Sequence, residues 1–145
     1  MLTFSKLSAQ QISDTDWSTQ EICKLLPNLD FSAVDNNQTW FAAWLDGQVI
    51  GIASLDGKLS AAQPTSGILC DLFVSPNVRR QGVGRMLVGL VAGAVMEMGA
   101  YFLRTQQVDT PEATAFSAKI GFNADTSASG TLLLDLTDTK GLRQH

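Results

Sequence analysis

The sequence predicts a mixed α/β (α+β) domain in which an antiparallel meander precedes strand–helix–strand units. Two β-rich runs meet at Asp46-Gly47, and a long apolar-faced helix over Val83–Met98 leads into another short strand. A chain of 145 residues with a hydrophobic fraction of 45% suits one domain with a real core. We therefore predict a single domain over residues 1–138 and a C-terminal tail over 139–145.

The first half of the chain predicts four strands and one helix. Ser13 to Asp16 offer N-cap residues for a helix that Pro27 ends. Asp46-Gly47 predicts a hairpin, because a type I′ turn needs positive φ at both central positions. Residues 57–67 are predicted to be a loop. The strands are predicted over Leu2–Leu7, Thr39–Leu45, Gln48–Leu55 and Ile68–Val74.

The second half predicts two helices and two strands, giving the order β-α-β-β-β-α-β-α-β with room for one further short element. Gly99 is a suitable C′ residue for the first helix, and Thr110 and Pro111 suit the N-cap and N1 positions of the second. The apolar face of the first helix is predicted to contain Leu87, Leu90, Val91, Ala94, Val95 and Met98. The remaining elements are predicted over Ala100–Arg104, Pro111–Ile120 and Thr131–Leu136.

Composition and charge exclude several classes of function. A net charge of -4 makes a nucleic-acid partner a poor expectation, since phosphate backbones need clustered Lys and Arg. The apolar-rich run Met86–Met98 is too short to span a bilayer, so no membrane association and a cytoplasmic location are expected. His145 is the only histidine, so no metal site or His-based triad is expected. Cys23 and Cys70 lie in apolar runs and are predicted to be buried, reduced thiols.

The segment Gly82-Val83-Gly84 opens the first long helix and predicts an anion site. The first amides of a helix have no internal partner, and the helix dipole is positive there. Glycine allows close approach of a phosphate. Arg79, Arg80 and Arg85 add three cations in a chain with only ten Lys and Arg. The alternative is a glycine-rich turn that serves only tight strand–helix packing. Neither a P-loop nor a dinucleotide fingerprint fits the spacing.

Arg79-x-x-Gly82-x-Gly84 matches the signature Arg/Gln-x-x-Gly-x-Gly/Ala, and two further segments, Leu72–Pro76 and Ala113–Phe122, agree with it. On these motifs, over about residues 39–122, the chain resembles the GNAT acetyltransferase family. The resemblance implies the GNAT fold, whose mixed sheet is flanked by helices and splits between the fourth and fifth strands to receive pantetheine. It implies that amides near Gln81–Arg85 hold the pyrophosphate of acetyl-CoA. The positions implied to bind that cofactor are Leu72, Phe73, Val74, Arg79, Arg80, Gln81, Gly82, Val83, Gly84, Arg85, Thr110 and Phe116.

The sequence departs from the family pattern at the catalytic positions. The usual tyrosine acid is Ser117, whose hydroxyl can donate a hydrogen bond to the leaving thiolate, and the frequent glutamate base is Ile68. Asp71 and Asp109 are the candidate substitutes. The alternative for Asp71 is a solvent-facing or locally hydrogen-bonded strand residue without a catalytic role. Strand alternation predicts that Asp71 and Cys70 lie on opposite faces unless a bulge reverses the order.

Two functions follow from the resemblance. The first is transfer of an acetyl group from acetyl-CoA to a primary amine by direct attack in a ternary complex. Leu26-Pro27, Val34–Asn37, Arg79–Gly84 and Thr114–Phe116 also resemble segments of the PanZ/PanM maturation factors. The second function is therefore a non-catalytic acetyl-CoA-binding regulator acting on a protein partner. The loops near residues 27–38 and 56–67 are expected to select the acceptor. The family implies a homodimer through late-strand pairing as one arrangement, and Tyr101 is predicted to be a packing residue.

Overall fold

The computed structural model describes residues 2–8, 14, 38–56, 59, 65–75, 82–108, 110–124 and 130–137. The helix predicted between Ser13 and Pro27 lies outside these residues, apart from Asp14, which is helical. The described residues form two helices, α1 (Val83–Glu97) and α2 (Pro111–Ile120). They also form seven strands: β1 (Leu2–Lys6), β2 (Gln38–Leu45), β3 (Gln48–Asp56), β4 (Ser66–Val74), β5 (Phe102–Gln106), β6 (Asn123–Ala124) and β7 (Thr131–Asp135).

The strands form one mixed sheet with the order β1-β2-β3-β4-β5-β7-β6. Strands β1 to β4 pair as an antiparallel meander, whereas β4 and β5 are parallel. Strand β7 then pairs antiparallel with both β5 and β6. The predicted α/β (α+β) class is confirmed, and β6 is the further short element for which the predicted order left room.

The β2–β3 hairpin has the predicted turn. Asp46 and Gly47 connect the strands and have φ values of 51° and 81°. Positive φ at both positions is the requirement of a type I′ turn, whose twist matches that of the flanking strands. The Asp-Gly signal therefore located the turn between the two strands, whose register then shifts between Ala43 and Trp44.

Helix α1 covers the sheet with a face that is rotated from the predicted one. Leu87, Val91 and Val95 are buried as predicted, but Leu90 is 38% exposed. Val88 and Ala92 are buried in its place. The prediction included Leu90 because the helix is apolar nearly all round, so periodicity alone did not locate the side that meets the sheet. The position of the sheet determines which side of α1 is buried, because α1 lies across strands β2 to β5.

Strands β4 and β5 have different bounds from those predicted. A Cβ on Gly67 would lie 2.5 Å from Cγ2 of Val95, so this glycine lets β4 pass directly under α1. The strand therefore begins at Ser66, inside the predicted loop.

The start of β5 is displaced in the opposite direction. The Ala100 amide still donates to the Val95 carbonyl of α1, at 3.2 Å, so the chain at Ala100 belongs to the helix terminus. The amides of Tyr101 and Phe102 then donate to the Thr65 carbonyl, and β5 begins at Phe102. The predicted packing role of Tyr101 is wrong, because its side chain is 55% exposed.

Candidate acyl-CoA and acceptor site

The sheet opens between β4 and β5. Only three positions pair the two strands, Ser66–Ile68 with Phe102–Arg104. Beyond this point β4 continues with β3, and β5 continues with β7. The hydroxyl of Thr105 donates to the Leu69 carbonyl at 3.2 Å and closes the inner end of the gap. The predicted split is therefore present, and it begins directly after the Ile68–Arg104 pair.

The N-terminus of α1 has the geometry of an anion site. Gly82 is the N-cap residue, with φ 79° and ψ 7°, and no side chain from the described part of the chain caps the helix. A Cβ on Gly82 would meet no atom of the described residues within 4 Å, so these residues leave open space above it. The first turn of α1 contains no acidic residue. Uncapped amides, a positive helix dipole and open space together fit a phosphate group.

Gly84 has a different role from Gly82. A Cβ at this position would lie 3.0 Å from Cε2 and Cζ of Phe116 in α2. The Phe116 side chain is half-buried and packs against the core. The packing explanation, which sequence reasoning held as the alternative for the whole motif, therefore applies to Gly84, and the anion explanation fits Gly82.

Of the other residues predicted to bind the cofactor, only some lie in the part of the chain that the structure describes. Val83 is 1% exposed, so only its main chain could face a ligand. Leu72, Phe73 and Val74 are half-buried on β4, next to the split, and Arg85 is half-buried in the first turn of α1. Arg79, Arg80, Gln81 and the candidate base Asp109 lie outside the described residues, and their roles stay predictions.

A β-bulge in β4 places Cys70 and Asp71 on one face of the sheet. Ser54 pairs with Asp71 and Leu55 pairs with Leu69, so Cys70 is the extra residue. Leu69 lies in the core before the bulge, and after it Leu72 and Val74 pack against the same core. Cys70 and Asp71 are both exposed.

Two expectations are corrected by this bulge. Cys70 and Asp71 do not lie on opposite faces, because the extra residue interrupts the alternation. The Cys70 side chain is exposed rather than buried, for the same reason, and its thiol is not part of a disulfide. Cys23 lies outside the described residues.

Asp71 is held by a buried hydroxyl that sequence reasoning missed. The Ser54 hydroxyl donates to Oδ2 of Asp71 at 2.7 Å. Ser54 is 0% exposed, whereas Asp71 is exposed, so a buried donor holds the carboxylate of an exposed residue. The signal available in the sequence was a lone serine within the apolar run Val49–Leu55, and only the structure shows that it pairs with Asp71.

Thr110 and Ser117 form hydrogen bonds at the two ends of helix α2. The Thr110 hydroxyl accepts from the Ala113 amide at 3.1 Å and caps the helix. The Ser117 carbonyl accepts from the amides of Gly121 and Phe122 at 3.1 and 2.9 Å. The Ser117 side chain is half-buried, one residue after the Phe116 ring that meets Gly84. Ser117 therefore lies close in sequence to the contact between α2 and the N-terminus of α1.

A groove of about 390 Å³ lies at the split, lined by Ile68, Leu69, Cys70, Arg104, Thr105, Gln106 and Thr131. Its polar residues Arg104, Gln106 and Thr131 were not predicted. The sequence did not point to these residues, because the predicted β5 ended at Arg104, two residues before the end of the observed strand. The Arg104 guanidinium Nε donates to the Ser66 hydroxyl at 3.1 Å, which fixes the direction of the side chain.

Within the part of the chain that the structure describes, two other kinds of site are absent. No group of three or more His, Cys, Asp or Glu residues is arranged to hold a metal ion. No described helix has both the length and the apolar character needed to cross a bilayer.

Comparisons with known proteins agree with this geometry. The model of the Acetyltransferase (GNAT) family matches residues 7–122. A mycothiol acetyltransferase from Corynebacterium urealyticum is 35% identical over 65 residues, which make up 45% of this chain. That stretch spans only 18% of the relative's own length.

Solved structures give the same architecture. Nourseothricin acetyltransferase is 25% identical with a TM-score of 0.58, over 70% of this chain and 67% of that one. The ribosomal-protein-S18-alanine N-acetyltransferase from Escherichia coli is 18% identical with a TM-score of 0.63, over 94% of each chain. At this identity the second comparison concerns the fold alone.

Proposed function

Because the chain belongs to the GNAT acetyltransferase family, we propose that it transfers an acetyl group from acetyl-CoA to a primary amine by direct attack in a ternary complex. The observation that carries the proposal is the open β4–β5 split beside an uncapped helix N-terminus. Membership of the family implies an acyl-CoA donor. The acetyl group, the amine acceptor and the order of events belong to the proposal.

The residues around Gly82 fit the donor. The open space above Gly82 and the amides at the N-terminus of α1 would hold the pyrophosphate, with Arg85 alongside. The main chain of Leu72–Val74 would bind the pantetheine arm along the split. Bound acetyl-CoA supplies an activated thioester carbonyl. The protein's own contribution is then to position the two reactants and to move protons, which can supply a large part of the rate.

Asp71 is the proposed general base. The bulge exposes it on the face opposite α1, the same face as Cys70 and the groove. Oδ2 accepts from Ser54, which leaves Oδ1 to accept the proton that the attacking amine releases. A base held by a buried donor keeps one orientation, and general-base catalysis depends on that geometry. Ser54 is accordingly a positioning residue.

Ser117 and Asp109 complete the proposal. The Ser117 hydroxyl would donate a hydrogen bond to the sulfur of the leaving thiolate. A serine is a weaker acid than a phenol, so most of the stabilisation would come from the hydrogen bond rather than from proton transfer. Asp109 is the second candidate base, at the exit of β5.

The first test is a thiol-release assay with acetyl-CoA and a pooled panel of amines. We expect Asp71→Asn to lower kcat/KM by about 10²- to 10⁴-fold, the usual contribution of a positioned base. Ser54→Ala should cause a smaller loss of about tenfold, because it removes one hydrogen bond to the carboxylate. Calorimetry should give an unchanged affinity for acetyl-CoA in both variants.

Asp46→Asn is the matched control. It removes an exposed carboxylate from the β2–β3 turn, and asparagine tolerates the positive φ of 51° at this position. It should leave turnover unchanged. Full activity of Asp71→Asn would show that Asp71 is not the general base. No thiol release with any amine, despite intact acetyl-CoA binding, would contradict the enzyme proposal and favour the non-catalytic regulator.

A further inference from the structure

A side chain makes the last contact between β4 and β5. The paired positions of the two parallel strands end at Ile68 and Arg104, so Leu69 and Thr105 would be the next pair. At this position the Thr105 hydroxyl donates to the Leu69 carbonyl at 3.2 Å. We call this contact the Thr105 bridge. It holds together the two strands at the point where their main chains begin to separate.

The Thr105 bridge lies toward the face of the sheet that α1 covers. Leu69 is 4% exposed and belongs to the core beneath α1. Leu103 is buried in the same core, and side chains alternate along a strand, so the Thr105 side chain is on that face as well. Leu69 and Thr105 also line the groove at the split. A ligand that enters the split from the side of α1 therefore meets the bridge at its inner end.

The distance from α1 to the bridge matches the length of a pantetheine arm. The first turn of α1 meets the outer part of β4, since a Cβ on Gly84 would lie 3.5 Å from Cγ2 of Val74. From Val74 to Leu69, β4 runs beside the four residue steps from Gly51 to Leu55 of β3, or roughly 13 Å. A pantetheine arm has about twelve bonds between its phosphate ester oxygen and its sulfur, as many as about four residues of extended chain, or roughly 13 to 14 Å. A phosphate bound at the N-terminus of α1 therefore places the thioester next to the bridge.

The direction of the acyl chain follows from the direction of attack. Asp71, the proposed base, lies on the face opposite α1, so the amine would approach the thioester from that face. A nucleophile attacks a carbonyl carbon from above the plane of its substituents, so the thioester plane lies along the sheet. A thioester prefers the conformation in which its acyl chain is trans to the substituent on sulfur. The chain therefore continues in the direction of the pantetheine arm, toward Leu69 and Thr105.

We propose that Thr105 restricts the donor to acyl groups as short as acetyl, because its bridge to Leu69 ends the split directly beyond the thioester carbonyl. This inference rests on the proposed function and names the residue that determines its donor class. A longer chain in the reactive arrangement would have to break the hydrogen bond between Thr105 and Leu69. If it bent to the opposite face instead, it would occupy the place of the amine.

Thr105→Ser and Thr105→Ala form the matched pair that tests this role. Both lack the methyl group of threonine, and only serine keeps the hydroxyl that makes the bridge. Thiol release is measured with acetyl-CoA and butyryl-CoA. We expect kcat/KM of the wild type and of Thr105→Ser to be at least about tenfold lower with butyryl-CoA, since an extra methylene in a filled pocket has an effect of this size. In Thr105→Ala the difference should shrink to about threefold or less.

Calorimetry measures the same preference without turnover. The ratio of the affinities for butyryl-CoA and acetyl-CoA should be about tenfold higher in Thr105→Ala than in Thr105→Ser, because the opened end of the split then buries two more methylenes. Equal affinity for CoA, which has no acyl group, verifies that each variant is folded. Thr3→Ala is the matched control, since it removes an exposed threonine from β1, at the far edge of the sheet. Its affinity ratio should equal that of the wild type.

Two results would overturn the inference: equal kcat/KM of the wild type with acetyl-CoA and butyryl-CoA, or the same acyl preference in Thr105→Ala as in Thr105→Ser. Turnover of acetyl-CoA together with either result would leave the transferase proposal standing. In contrast, an affinity ratio that rises in Thr105→Ala, without turnover of any acyl-CoA, would support the role of Thr105 and contradict the transferase proposal.

Discussion

Gly82 and Gly84 are two residues apart and serve different purposes. Gly82 has a left-handed backbone conformation and open space above it, whereas Gly84 lies against the ring of Phe116. Only at Gly82 can a side chain be added without disturbing the packing of α2. Gly82 is therefore the position at which the charge of the anion site can be tested by itself.

Gly82→Asp and Gly82→Asn form a matched pair for this test. Both side chains tolerate positive φ, and they are nearly equal in size, so they differ mainly in charge. We expect Gly82→Asp to bind acetyl-CoA about tenfold or more weakly than Gly82→Asn, because a carboxylate there repels the pyrophosphate. Calorimetry measures the two affinities. Equal affinities would show that the pyrophosphate does not bind next to Gly82.

Single residues of the candidate site could be proposed from the sequence only where a motif contained them. Gly82 and Arg85 belong to a contiguous pattern, and their positions follow from it. Ser54 and Ser66 could not be identified in this way, because each acts on a partner from another strand, Asp71 and Arg104. These partnerships depend on sheet register, which one extra residue at Cys70 changes.

Among the elements, α1 connects the donor site to the core. It contains glycines in two different environments: Gly84 faces Phe116 at close range, and Gly93 is exposed with no atom within 4 Å of an added Cβ. Alanine is favoured over glycine in a helix interior. The two positions therefore separate helix propensity from interhelical packing.

We expect Gly93→Ala to raise the free energy of unfolding by about 0.5 to 1 kcal/mol, which is about 2 to 4 °C in Tm. Gly84→Ala should lack this gain, because its methyl group would lie 3.0 Å from two ring carbons of Phe116. Denaturant titrations of the two variants measure the difference. Equal stabilisation at both positions would show that the Phe116 ring adjusts without cost.

The sequence predicted the existence and order of the elements better than their bounds. Thr110 and Gly121 are local signals, and α2 has the predicted limits. The start of β4 at Ser66 depends on the approach of Val95 to Gly67, a contact between distant parts of the chain. No local pattern contains that information.

At the scale of the whole molecule, α1 joins two parts of a divided sheet. Strands β1–β4 and β5–β7 share only three paired positions, but α1 packs across strands on both sides of the split. Leu103 and Leu134 of one part lie in the same core as Phe41 and Leu55 of the other. This continuous core should make the two parts unfold together.

Cooperative unfolding can be tested with two optical signals. Tryptophan fluorescence reports in part on Trp40 and Trp44 of β2, and far-ultraviolet circular dichroism reports on the whole chain. We expect coincident urea transitions, and the control variant Gly93→Ala should shift both curves equally. Two separate midpoints would mean that the parts are independent units despite their common core.

The divided sheet also has a consequence for solubility. Beyond Ile68 and Arg104, β4 and β5 each turn an inner edge toward the gap, and such edges can recruit an extended segment of another chain. At the innermost position, the Thr105 hydroxyl donates to the Leu69 carbonyl, so that carbonyl already has a hydrogen-bond partner. A ligand lying along the remaining edge would occupy the same main-chain groups, so the liganded protein is the form best protected against strand addition and aggregation.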